Sequence, residues 1–156
     1  MNEKVEAPEV KNARPYDVAP PAQYAEFMRT GWAPSDLEGL QPLEVVTYAF
    51  TRRQVLSEGF PNIRLVIPSG NHKTRSNDTE YVYRPHSAFA YYSGVQGADA
   101  VADSVLVLEP KADGGHDAYL YLHPRSTRET DAFYTDRRYG ELWVGRHFTL
   151  EEAATV

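Results

Sequence analysis

The side chains that could carry metal or nucleophilic chemistry are scattered along this sequence and match no catalytic motif. None of the histidines belongs to a His-x-His, His-Glu-x-x-His or His-x-x-Glu-His pattern; they are His72, His86, His116, His123 and His147. The absence of cysteine excludes disulfides, thiolate metal sites and thiol nucleophiles. No Gly-x-Ser-x-Gly elbow is present, and the glycine pairs lack the lysine of a phosphate-binding loop. The sequence therefore predicts no catalytic residue, no metal ligand and no cofactor in this chain.

Carboxylates leave one alternative open. Asp99, Asp103 or Glu109 could hold a divalent ion in a nuclease built on a ribonuclease-H-like sheet. These residues form no established ligand pattern, and the formal net charge of -6 repels phosphate backbones. The nuclease is therefore the least favoured hypothesis, and no nucleic-acid partner is predicted.

An aromatic band between residues 81 and 92 is the most distinctive feature of the sequence. It contains Tyr81, Tyr83, Phe89, Tyr91 and Tyr92, with Arg75 and Arg84 nearby. Such rings can stack nucleic-acid bases in a basic groove, but the acidic Asp78 and Glu80 directly precede the band, on the same side as Arg75. The alternation of rings with polar residues is more typical of a half-buried packing surface or an interface.

The elements that position these residues alternate between helix and strand. An apolar face at helical spacing predicts a helix over 44–60. Short β-branched runs predict strands at 63–67 and 104–109, and a turn at 113–115 predicts a hairpin to a strand at 118–122. The continuous apolar character of that last run predicts cover on both faces of the sheet. We expect further short strands at 89–94 and 142–145.

Three Ser/Thr-x-x-Glu capping boxes indicate helix starts, at Ser35–Glu38, Ser126–Glu129 and Thr149–Glu152. The second predicts a helix running to about Arg138. The third opens a helix too short to form alone, which predicts that the sequence continues in a longer protein. Together these patterns predict the α/β class, with one domain built on a mixed β-sheet flanked by helices.

Composition sets the boundaries of that domain and its surroundings. The 156 residues fit a single domain; residues 1–23, rich in proline, read as a flexible N-terminal arm and 24–156 as the folded part. No stretch approaches the roughly 18 apolar residues of a membrane span, so no membrane partner is predicted. The acidic start lacks the apolar core of a secretory signal, which predicts a cytoplasmic location.

Residues 73–94 (KTRSNDTEYVYRPHSAFAYYSG) closely resemble the signature of the N-terminal domain of Xaa-Pro aminopeptidases. Residues 52–56 and 65–68 resemble the family's first helix and strand, and 104–110 its next hydrophobic strand. Residues 141–146 (ELWVGR) resemble its Trp-Gly-Arg closing motif. The resemblance covers about Gly31 to Val156 in the expected order.

The resemblance implies a creatinase-like, ribonuclease-H-like topology. In relatives this domain precedes a pita-bread catalytic domain that binds two divalent ions, commonly manganese, through two Asp, one His and two Glu; none of these maps onto this chain. The resemblance further implies a domain that is inactive alone, serves oligomerisation and helps wall the substrate cleft. Its partners would be its own catalytic domain and neighbouring subunits, and proline-containing peptides through the parent enzyme.

Six residues align with the motif and are the predicted cleft or interface residues: Asp78, Tyr81, Arg84, Ser87, Phe89 and Tyr92. We expect Asp78 and Arg84 to fix the loop by charge-assisted hydrogen bonds, and the rings to form a packing face. Three positions depart from the motif. Relatives usually carry an acidic residue in place of Ala88, often a larger aromatic residue in place of Ala90, and commonly an arginine in place of His147. The alternative is a stand-alone interaction module without a catalytic domain, using the tyrosine-rich face.

Overall fold

The computed structural model describes residues 21–33 and 41–155. The predicted N-terminal arm falls almost entirely outside these residues, as does the predicted capping box at 35–38. The first described helix, α1, spans Ala22–Arg29 and buries none of its residues. It is attached to the rest of the protein by Tyr24, which packs edge-on against Tyr134, and by Arg29, which forms an ion pair with Asp131 at 3.5 Å.

A three-stranded antiparallel sheet forms the centre of the fold. Its strands are β1 (Leu65–Pro68), β4 (Val105–Pro110) and β5 (His116–Tyr121), and β4 lies in the middle. The predicted β4–β5 hairpin is confirmed, and it pairs Val105 with Tyr121 and Pro110 with His116. A second, two-stranded ribbon joins β2 (Thr74–Ser76) to β3 (Thr79–Glu80). The α/β class is confirmed, and every strand pair in the described residues is antiparallel.

Two helices cover one face of the sheet and form the core with it. The helix predicted over 44–60 is confirmed as α2 (Val45–Gly59), and α3 spans Ser87–Ser93. Phe89, Leu106 and Leu108 are buried in the core cluster, where Phe148 joins them from the C-terminal segment. Burial of these side chains is the main stabilising contribution, at about 1.5–3 kcal/mol each.

Two predicted strands are wrong, and both are short helices. Residues 87–93 form α3, which ends at Gly94, where a φ of 80° is a left-handed conformation that glycine tolerates. Residues 141–144 form α5 (Glu141–Val144), bounded by Gly140 and Gly145. A run of only four to seven mostly apolar residues can form either a helix or a strand, so neither its length nor its amino-acid composition distinguishes a helix from a strand.

The predicted helix over 126–138 is also wrong over most of its length. Only α4 (Ala132–Thr135) is helical there, and within the described residues the side-chain hydroxyl of Ser126 has no hydrogen-bond partner. The third capping box is confirmed at α6 (Leu150–Ala153), where Thr149 Oγ1 accepts from the Glu152 backbone N–H at 3.2 Å and the Glu152 carboxylate accepts from the Thr149 N–H at 2.9 Å.

Within the same described ranges, no helix combines the length and the apolar character that crossing a membrane requires.

Candidate functional site

The predicted motif forms a loop that leaves the end of β1 and returns to the sheet through α3. The β2–β3 ribbon lies within it, and Asn77 makes the tight turn with φ 46°. The Tyr81 N–H then donates to the Lys73 carbonyl at 2.9 Å, which extends the ribbon by one bond. We call residues 69–86 the motif loop; it stands on the surface beside the sheet.

Three of the six predicted residues meet at one surface depression. Tyr81, Arg84 and Ser87 line a cavity of about 450 Å³ together with other residues of the motif loop. Tyr81 is 58% exposed and the neighbouring Val82 is 96% exposed. Arg84 donates to Ser87 Oγ over 3.5 Å, a long hydrogen bond that leaves the guanidinium largely available. An exposed guanidinium and an exposed aromatic ring therefore line the cavity.

The other three predicted residues lie elsewhere. Phe89 is fully buried in the core, and Tyr92 packs against that core from α3. The Tyr92 carbonyl accepts from Arg53 at 2.8 Å, and Arg52 binds the Tyr91 carbonyl at 3.1 Å, which ties α3 to α2. Asp78 is exposed beside the β2–β3 turn and does not line the cavity. The structure therefore does not bring Asp78, Phe89 or Tyr92 into the depression.

The base of the motif loop is held by residues that are not among the six predicted cleft or interface residues. The Tyr83 hydroxyl donates to the carbonyls of Ser69 and Gly70 at 3.1 and 3.2 Å. The Ser69 carbonyl also accepts from the His86 N–H at 2.8 Å, which closes the loop. Gly70 has φ +84°, and a Cβ there would lie 2.5 Å from Nε2 of His86. The sequence signal that could have identified this position is a glycine between a predicted strand and the tyrosine-rich motif.

A polar cluster next to the loop connects it to the C-terminal half of the chain. Arg138 donates to Asn71 Oδ1 at 2.6 Å and forms an ion pair with Asp103. The Tyr139 hydroxyl donates to the same Asp103 carboxylate at 2.8 Å. Hydrogen bonds from Arg138 and Tyr139 hold the pKa of Asp103 below its usual value. Arg138 thus joins the start of the motif loop to the segment after α4.

The carboxylates considered as nuclease ligands do not form a site. Asp103 is paired with Arg138, and Glu109 forms a two-point ion pair with Arg64 at 2.6 Å. Burial raises the pKa of Asp99, which lies apart from these pairs. Among the residues that the structure describes, no group of three or more His, Asp or Glu side chains is placed to hold a metal ion.

The family model described as the N-terminal domain of aminopeptidase P matches residues 49–156, more than half of the chain. The chain belongs to the aminopeptidase P family. Two Streptomyces coelicolor proteins are similar to it over 86% of its length: Xaa-Pro aminopeptidase 2 at 47% identity and Xaa-Pro aminopeptidase 1 at 50%. The chain covers 28% and 26% of these proteins, respectively.

A solved structure of Escherichia coli aminopeptidase P with the inhibitor Pro-Leu matches 68% of this aminopeptidase P domain, at 29% identity and a TM-score of 0.47. The chain covers 24% of that protein. The predicted resemblance to the N-terminal domain of the family is thus confirmed by the family model and by the curated relatives.

Proposed function

We propose that this chain is the non-catalytic N-terminal domain of a manganese-dependent Xaa-Pro aminopeptidase, an enzyme that releases an N-terminal residue preceding proline. The observation that carries the proposal is the match to the N-terminal domain model over 49–156, together with relatives named Xaa-Pro aminopeptidase of which the chain spans less than a third. Its first partner is then the remainder of the same enzyme. In this proposal the enzyme is cytoplasmic, and this domain contributes to its oligomerisation.

The described residues do not fit the manganese pair of such an enzyme. A two-metal hydrolytic site needs several carboxylates, usually with a histidine, converging on ions about 3.5–4 Å apart. No such group occurs in 21–33 or 41–155, and Asp103, whose carboxylate lies next to the motif loop, is paired with Arg138. The proposal therefore places the metal ions in the remainder of the enzyme and assigns this chain no step of the reaction.

The role that we propose for this chain is to limit which peptides reach the catalytic cleft. The depression lined by Tyr81, Arg84 and Ser87 supports it, because an exposed guanidinium can pair with a peptide carboxylate and an exposed ring can pack against a prolyl side chain. Tyr83 and Gly70 hold the loop that carries these groups in one position. A fixed loop excludes ligands by shape, whereas a mobile loop would admit them.

The first test is the coding sequence after Val156. An open frame long enough for a second domain, with the metal ligands of the family, supports the proposal, whereas a stop codon contradicts it. The 156-residue chain and the longer enzyme are then assayed on Xaa-Pro peptides with added manganese. We expect the longer enzyme to hydrolyse these peptides and the 156-residue chain to show no hydrolysis, because the described residues provide no metal site.

We expect Arg84→Ala in the longer enzyme to raise the KM for peptides by about tenfold, which corresponds to about 1.4 kcal/mol, while kcat changes little. The physical reason is the loss of a cation that contacts substrate away from the reacting bond. Arg75→Ala is the matched control, since Arg75 is also exposed but does not line the depression. Equal effects of the two substitutions would exclude a role of the depression in binding.

A further inference from the structure

One side of α2 forms a cavity with the end of the β4–β5 hairpin, which we call the hairpin cavity. The hairpin contributes Lys111 and residues 114–118, and the cavity has a volume of about 510 Å³. This volume lies within the range of roughly 300–1,000 Å³ that is typical of small-molecule sites. The helix contributes residues spaced by three and four positions, which places them on one side: Phe50, Arg53, Gln54, Ser57 and Glu58.

Arg53 brings to this cavity a half-buried cation that lacks a carboxylate partner. Its guanidinium donates to the Tyr92 carbonyl at 2.8 Å and enters no ion pair within 21–33 or 41–155. Burial lowers the pKa of Arg53, because the charged form loses water that no anion replaces. Arginine has five N–H donors, so further donors remain for a ligand.

Glu58 brings an unpaired charge of the opposite sign to the same cavity. It is exposed, and it forms no ion pair and no side-chain hydrogen bond in the part of the chain that the structure describes. The other two charged side chains of the cavity, Lys111 and Asp117, pair with each other at 4.0 Å. A guanidinium and a carboxylate that line one cavity are thus each left without a charged partner.

Ser57 and His116 add a hydrogen-bond acceptor to the cavity. Nε2 of His116 lies 2.8 Å from the Ile63 carbonyl, which can only accept, so Nε2 carries the proton. In the neutral ring Nδ1 is then an acceptor, and the buried Ser57 Oγ donates to it at 2.6 Å. The lone pairs of Ser57 Oγ are left to accept from a ligand. Phe50, which is 53% exposed, adds an apolar wall.

We propose that the hairpin cavity binds a small zwitterion, a free amino acid with an apolar side chain. The carboxylate of the ligand pairs with Arg53, its ammonium group with Glu58 and the Ser57 hydroxyl, and its side chain packs against the ring of Phe50. A ligand with a single charge would leave either the guanidinium or the carboxylate unpaired. Binding here does not depend on the proposed function, because no described residue lines both this cavity and the depression of the motif loop.

The test is a titration of the isotope-labelled 156-residue chain, followed by the amide signals in NMR spectra. The probes share one apolar skeleton: L-leucine, L-leucine methyl ester, which lacks the carboxylate, and isocaproate, which lacks the ammonium group. We expect L-leucine to shift the signals of residues 50–58 and 111–118 with a Kd of roughly 0.1–10 mM, as suits a ligand of so few atoms. Each analogue should bind at least about tenfold more weakly, because one charge-assisted contact is lost.

Arg53→Gln tests the cation, and Arg52→Gln is its matched control. Both arginines donate to a carbonyl of α3, Arg52 to that of Tyr91 at 3.1 Å, but Arg52 does not line the cavity. We expect Arg53→Gln to weaken the binding of L-leucine at least about tenfold and Arg52→Gln less than about twofold. Equal losses would overturn the proposal, since they would show that both arginines act only by attaching α3 to α2.

Glu58→Gln keeps the test decisive if Arg53→Gln does not fold, because Glu58 is exposed and makes no bond that the fold requires. We expect it to weaken the binding of L-leucine at least about fivefold. The absence of saturable shifts up to about 50 mM L-leucine would overturn the proposal. Equal affinity for L-leucine and for either analogue would also overturn it, and would identify a site for a simple anion or a simple cation. Circular dichroism of each variant checks that the fold is retained.

Discussion

Phe89 shows what a single motif residue contributes, since its ring is fully buried between the sheet and the helices. We expect Phe89→Ala to lower the free energy of unfolding by about 3–5 kcal/mol, through lost burial and the cavity left behind. Urea unfolding followed by circular dichroism measures the change. Tyr81→Ala is the control and should cost less than about 1 kcal/mol, because the Tyr81 ring is mostly in water. A small loss for Phe89→Ala would mean that the ring does not belong to the core.

His147 gives the chain a specific response to pH. Burial is the main cause that lowers the pKa of His147, opposed by the nearby carbonyls of Gly145 and Pro124 and assisted by His123 and Arg125. In the unfolded chain the pKa of this histidine is near 6.5, so as the pH falls the unfolded chain takes up a proton before the folded chain does. The stabilising effect of a neutral His147 is therefore complete above that value and is lost as the pH falls below it.

We expect His147→Gln to be less sensitive to acid than the parent chain in that window. The measurement is the difference in free energy of unfolding between the two proteins from pH 7.5 to pH 5.0, at about half-unit steps. Taking the difference cancels the other histidines, which titrate in both proteins. A difference that stays constant across the range would show that the folded state accepts a proton on His147 as readily as the unfolded chain does.

At the scale of elements, the start of the motif loop depends on Gly70. An alanine at this position would have to adopt a φ of +84°, and its methyl group would lie too close to the imidazole of His86. We expect Gly70→Ala to destabilise the protein by about 1–3 kcal/mol and to speed hydrogen exchange across 70–86. Gly59→Ala is the matched control, because a Cβ at the end of α2 meets no atom within 4 Å and should stabilise the helix by up to about 1 kcal/mol. Similar effects at the two positions would contradict the argument.

Element prediction from the sequence succeeded where a pattern was long or flanked by strong turn signals. The helix α2 and the β4–β5 hairpin are confirmed because fifteen helical residues and a double-glycine turn leave few alternatives. The pattern failed at 89–94 and 142–145, where the runs are short and the backbone is decided by glycines at the ends and by tertiary packing.

The candidate site could be predicted only in part, because some of the residues that surround it are far apart in the sequence. Tyr81, Arg84 and Ser87 are close in sequence, and they do share one depression. Arg138 reaches Asn71 across 67 residues and Asp103 across 35, so no local spacing identifies that cluster. The burial of Phe89 likewise depends on the direction of α3, which the predicted strand did not provide. Whether the six motif residues line a substrate cleft stays a prediction.

At the scale of the whole molecule, the described residues form a core cluster on one side of the central sheet only. The prediction of cover on both faces is therefore wrong for these residues. The helices α2 and α3 and the C-terminal Phe148 all contribute to the same side. The predicted domain over 24–156 includes α1, which buries none of its own residues but places Trp32, just beyond its end, 4.8 Å from the ring of Phe133. Of the described residues 21–33, none belongs to the central sheet, and loss of Trp32 is expected to uncover Phe133.

The turn between β4 and β5 also makes the protein easy to engineer. Gly114 has φ +94° and open space where a Cβ would be, and residues 111–115 of the turn are exposed. Exposed loop tips of this kind tolerate insertions well. An affinity tag or a fluorescent reporter placed after Gly114 would leave the motif loop undisturbed, so the domain can be captured and followed in cells without blocking that candidate binding surface. Because Gly114 also lines the hairpin cavity, the same insertion is expected to hinder a ligand there.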